Sequence, residues 1–69
     1  MKYTVLLKYP DYASSFFASL TMVLDAENPE DAEFKAKVES STIYPGLIRD
    51  FDDFLTIAVF EGAHIDKKP

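Results

Sequence analysis

The chain has 69 residues, a net charge of −5 from twelve acidic and seven basic side chains, four tyrosines, six phenylalanines and no cysteine. That length makes one domain with a thin core, typically worth about 3–5 kcal/mol of net stability, and the lack of cysteine excludes disulfides and thiolate zinc sites. A single arginine, Arg49, and scattered lysines cannot neutralise a row of phosphates, which disfavours direct nucleic-acid binding.

Residues 2–9 alternate cleanly. Tyr3, Val5, Leu7 and Tyr9 share one face, and Thr4, Leu6 and Lys8 the other, so the segment reads as a β-strand. Its start, Met1-Lys2-Tyr3-Thr4-Val5, lacks the organisation of a secretory signal, and no apolar run approaches the ~20 residues needed to span a bilayer, so a cytoplasmic location is expected. Pro10 to Ser15 has loop composition. A second strand is expected from Phe16 to about Ala26, with Phe16, Ala18, Leu20, Met22 and Leu24 on one face. The loop is too short for a crossover, so the two strands should form an antiparallel hairpin.

Asn28-Pro29 is a helix-start signal: an N-cap followed by a proline at the first helical position. Glu30, Asp31 and Glu33 put negative charge at the positive end of the helix dipole. The spacing predicts a helix from Pro29 to about Ser40. Its apolar residues conflict with a single buried face. At 100° per residue, Ala32 and Ala36 form one stripe, and Phe34 and Val38 a second on nearly the opposite side. The small stripe suits a close approach to a sheet, and the larger one then needs something to cover it.

Pro45-Gly46 suggests a turn, and Leu47 to Arg49 a short strand. Asp50-Phe51-Asp52-Asp53 reads as a turn into the last strand, Phe54 to Phe60. There Leu55, Ile57 and Val59 oppose Phe54, Thr56, Ala58 and Phe60. Both faces are apolar, the pattern of an interior strand. Glu61-Gly62 ends it, and residues 63–69 read as a flexible tail. The expected fold is α+β over residues 1–62: an antiparallel-rich sheet of three to four strands with one helix packed on it, in the order ββα(β)β, either β-grasp-like or a simpler sheet.

Chemistry-bearing motifs are few. His64 is the only histidine and has no cysteine to activate. An EF-hand loop begun at Asp50 would place carboxylates at Asp52 and Glu61, but Phe54 and Leu55 occupy the positions that need a ligand and a glycine. Two glycines, Gly46 and Gly62, cannot build a phosphate-cradling loop. No enzyme activity, cofactor or metal is expected.

The segments Met1 to Leu7, Tyr9-Pro10-Asp11-Tyr12, Asp25 to Ala32 and Phe54 to Gly62 resemble small uncharacterised proteins of bacteria, plasmids and phages. The first strand and acid-capped helix are also similar to the HicB antitoxin family, although the Pro-Gly-Cys segment of that family is absent here. In size, charge and sheet-plus-helix design the chain resembles small acidic phage proteins that block CRISPR complexes. The first resemblance covers most of the chain and implies no established activity.

The expected function is a non-enzymatic protein-interaction module, such as an inhibitor or accessory factor of a phage or other mobile element. Its surface would be Phe34 and Val38 with neighbouring acids. An alternative is an acidic mimic of nucleic acid that uses Glu27, Glu30, Asp31, Glu33, Asp50, Asp52 and Asp53 against a basic nucleic-acid-binding protein. A second alternative is an antitoxin-like neutralising protein. Self-association as a homodimer is a further expectation for so small a core.

Overall fold

The computed structural model describes residues 1–13, 18–43 and 46–63. The elements are β1 (Lys2–Lys8), a 3-10 turn at Asp11–Ala13, β2 (Ser19–Asp25), α1 (Pro29–Ser41), a second 3-10 turn at Phe51–Asp53 and β3 (Leu55–Glu61). They form a three-stranded antiparallel sheet of order β2-β1-β3 with one helix against it, a small α+β fold. The expected hairpin is β1–β2, in register from Lys2 opposite Asp25 to Lys8 opposite Ser19. The chain then crosses through α1 and returns as β3 on the far side of β1. None of the helices among the described residues is long and apolar enough to cross a membrane.

Alternation along β1 explains the core. Tyr3, Val5, Leu7 and Tyr9 are all buried beneath α1, and Leu20, Met22 and Leu24, on the same face of β2, pack beside them. Ala32 and Ala36 are fully buried against this face. Their small side chains let the helix lie close to the sheet. Ala13, Ala26 and Phe54 complete the core, and the Phe54 ring packs on Tyr9 with centroids 5.2 Å apart.

Asn28 caps α1 as its sequence implies. It is extended (φ −159°), and its Oδ1 accepts from the Asp31 N–H at 2.8 Å. Asp31 reaches back to accept from the Glu27 N–H at 3.1 Å, a relative of the capping box. At the other end, Ser41 and Thr42 hydroxyls donate to the carbonyls of Val38 and Glu39, each at 2.7 Å. Both glycines have positive φ, 89° at Gly46 and 96° at Gly62, which other residues rarely adopt.

Three expectations are corrected. Residues 47–49 form no strand; Leu47 and Ile48 pack on the core from a loop. The last strand is an edge, because β1 takes both neighbours and leaves β3 hydrogen-bonded along one side among the described residues. Its face assignment also changes partway. Leu6 is opposite Ala58, but Leu7 is opposite Thr56, so Ile57 is an inserted residue, a β-bulge. Val59 and Thr56 thus share the helix-covered face although they are three apart. Leu55, Ile57, Ala58 and Phe60 lie on the other side. The expected start of the second strand at Phe16 and the tail from 64 onward lie outside the described residues.

Candidate functional site

The outer surface of α1 is built by the same geometry that buries its alanines. Ala32 and Ala36 point into the sheet, so Phe34 and Val38, about 200° away around the helix, point outward. Phe34 is 54% exposed and Val38 37%. Phe34 is nevertheless held in place. The Phe51 ring meets it edge-on, with centroids 5.4 Å apart and planes at 85°. Edge-to-face pairs of this kind contribute about 0.5–1.5 kcal/mol beyond simple burial. On the other side of Phe34 a shallow apolar groove runs between α1 and β2, lined by Leu24, Phe34, Val38 and the stems of Lys35 and Glu39.

A chain of polar contacts positions Phe51. Asp50 caps the turn, its Oδ1 accepting from the Asp52 N–H at 3.0 Å. The Tyr12 hydroxyl donates to the Asp53 carboxylate and accepts from the Arg49 N–H at 2.9 Å. The Arg49 guanidinium lies 4.5 Å from the centre of the Tyr12 ring. Loss of hydration and the bond to Asp53 push the Tyr12 phenol pKa upward. Lys37 ties the turn to the helix, with Nζ 3.4 Å from Glu33 and 3.8 Å from Asp52.

The seven acidic candidates divide into two groups. Glu30, Glu33 and Asp52 come together with Phe34 and Phe51 around a shallow depression, and Lys37 stands among them. The other four serve elsewhere. Glu27 is exposed just ahead of the helix cap; Asp31 pairs with Lys35 at 3.0 Å; Asp50 and Asp53 belong to the turn contacts above. The Glu27 N–H, and then Lys35, hold the Asp31 carboxyl below its ordinary pKa. Glu33 is lowered as well, first by the Thr56 hydroxyl, which donates to it, and then by Lys37. Among the described residues no three histidine or carboxylate side chains converge as metal ligands.

Sequence reasoning located Phe34 and Val38 but missed Phe51 and Leu24, which shape the surface around them. An aromatic set among three aspartates was the available signal for Phe51. It also missed the open face of the sheet, where Leu55, Ile57 and Phe60 are 62%, 53% and 48% exposed. The two-faced apolarity of β3 was the signal there, read as interior pairing. Neither a family model nor a curated protein nor a solved structure matches the chain.

Proposed function

We propose that this protein is a non-enzymatic interaction module that binds another protein through the outer face of α1. The observation that carries this reading is Phe34. A phenylalanine on the solvent side of a helix, braced by Phe51 and bordered by an apolar groove, is a preorganised anchor. Interfaces draw most of their energy from a few such aromatic residues, and rigid ones lose less entropy on binding. Glu30, Glu33 and Asp52 form an acidic border on one side, so the fitting partner presents an apolar pocket with basic groups beside it.

The test is co-purification from a native host with the wild-type protein and two variants as bait. Phe34→Ser should lose the partner, whereas Glu30→Lys with Asp52→Lys should weaken capture only partly. Capture that survives Phe34→Ser unchanged would refute the proposal.

Mimicry of nucleic acid is the second reading, favoured by the meeting of Glu30, Glu33 and Asp52 on one surface. It requires binding that falls steeply with salt. Two observations weigh against it. Lys37 returns a positive charge to the centre of that group, and Asp31, Glu33 and Asp53 already hold intramolecular partners.

A further inference from the structure

We infer that the outer edge of β2, with the groove between it and α1, binds an extended, basic segment of another protein as a fourth strand of the sheet. This rests on the reading of Phe34 and Val38 as an interface and names the form of the partner. The ladder decides which way each β2 backbone group points. The Tyr9 N–H donates to the Ala18 carbonyl at 3.2 Å, and the Ala26 N–H to the Met1 carbonyl at 2.9 Å. With Lys8 opposite Ser19 and Lys2 opposite Asp25, Leu20, Met22 and Leu24 also turn their N–H and C=O groups to β1. Ser19, Thr21 and Val23 turn theirs outward, where β2 has no neighbouring strand among the described residues. The edge lacks the usual protection: Ser19–Asp25 pairs without a bulge and contains no proline, lysine or arginine. Such a row of donors and acceptors is a template for another strand.

The groove lies against that same edge. Tyr3, Val5 and Leu7 of β1 are buried under α1, but Leu20, Met22 and Leu24 of β2 are only half-buried. Leu24 contributes from the strand side of the groove, and Phe34, Val38 and Thr42 from the helix side. Those three are successive turns of α1, so they span about 12 Å. An added strand lies about 4.8 Å beyond β2, and its side chains on the α1 side recur about every 7 Å. Two of them therefore enter the groove beside Leu24 and Val38, while alternate residues turn to the opposite face. Main-chain hydrogen bonds to Thr21 and Val23 give affinity, and the groove selects apolar side chains at every second position.

Charge identifies the occupant. Glu39 lines the groove, is exposed, and has no ion pair among the described residues. Lys35 beside it is paired with Asp31, and Asp25 with Lys2. The uncompensated charge of the groove is negative, so the fitting strand carries a lysine or arginine toward Glu39. A second copy of this chain does not supply one. Neither of its edge strands, Ser19–Asp25 or Leu55–Glu61, contains a basic residue, and each copy carries a net charge of −5. A helix laid in the groove would cover Leu24 and Val38 but leave the outward groups of Thr21 and Val23 without protein partners.

Selection from a random peptide library displayed on phage, with the purified chain as target, tests this. Enriched peptides should alternate apolar and polar residues and carry lysine or arginine. Their binding should slow amide hydrogen exchange at Thr21 and Val23. Thr21→Pro removes one outward N–H where an edge strand tolerates proline; it should weaken binding about tenfold or more with far-UV circular dichroism unchanged. Glu39→Lys should weaken it too. N-methylation of alternate peptide amides probes the same bonds with the protein untouched: one set should abolish binding and the other leave it. The proposal is overturned by a selection that enriches nothing, by peptides with apolar residues three and four apart, or by binding indifferent to Thr21→Pro and to both methylation sets. A wild type that dimerises where Thr21→Pro does not also overturns it. Phe34→Ser separates the two readings. Host capture lost with Phe34→Ser, beside peptide binding indifferent to Thr21→Pro, overturns the fourth strand alone. Peptide binding that survives Phe34→Ser but not Thr21→Pro upholds the strand and removes Phe34 as its anchor.

Discussion

Replacing Phe34 with alanine and Ala36 with leucine perturbs opposite sides of one helix, and the two-stripe geometry assigns them opposite consequences. Phe34 is about half-buried, and full burial of such a side chain is worth about 1.5–3 kcal/mol, so truncation forfeits about 1 kcal/mol. Losing the edge-on contact with Phe51 adds about 0.5–1 kcal/mol. The higher helix propensity of alanine returns about 0.5 kcal/mol. The net cost of Phe34→Ala is about 1 kcal/mol, or about 4–8 °C in melting temperature for a domain of this size. If Phe34 instead lay in the core, the same change would cost about 3–5 kcal/mol. Ala36 is fully buried where the helix meets the sheet. A leucine there has no room, and overpacking costs about 1–3 kcal/mol with no compensating gain in propensity. Urea denaturation followed by circular dichroism measures both. The geometry is refuted if Phe34→Ala costs more than about 3 kcal/mol, or if Ala36→Leu is neutral.

Further expectations follow from the same contacts. Asn28→Ala removes the helix cap and should cost about 1 kcal/mol by denaturant unfolding. Ser40 is buried and its Oγ has no hydrogen-bond partner among the described residues; Ser40→Ala should therefore be neutral or stabilising, by up to about 1 kcal/mol. Asp31 and Glu33 have carboxyl pKa values below their ordinary 3.8 and 4.5. A depressed pKa stabilises the fold above the unfolded-state value, and that contribution disappears as pH falls through the folded-state value. Stability should thus hold above about pH 4.5 and decline below it, and Glu33→Gln should flatten the decline in an acid titration followed by circular dichroism. Tyr12→Phe deletes the bonds to Asp53 and Arg49; faster amide hydrogen exchange at residues 49–53 is the expected readout, with the sheet amides unchanged.

Much of this architecture was legible because it follows from local rules. Period-two alternation marked β1 and the register-bearing part of β2. The Asn28-Pro29 pair fixed the helix start to the residue. The conflict along α1, two apolar stripes on one helix, separated the buried Ala32 and Ala36 from the exposed Phe34 and Val38. Both acidic segments were also visible, but their meeting was not. Glu30, Glu33 and Asp52 converge only because the Phe51–Asp53 turn packs against α1 and Lys37 bridges the two.

The sequence by itself determined the three strands, the helix and the inward face of most of them, because side-chain periodicity and capping chemistry act within a few residues, but it also suggested a strand at residues 47–49 that the fold does not contain. The tertiary structure decided where β3 sits and which way its side chains point. An apolar strand looks the same whether it lies between two neighbours or at an edge with one face uncovered; only the pairing of β1 with both other strands distinguishes them. The bulge at Ile57 arises from the mismatch between two strands in contact, and it moves Val59 to the covered face while leaving Leu55, Ile57 and Phe60 exposed. Pattern within one strand carries no information about that mismatch, so the open apolar face emerges only once the sheet is assembled.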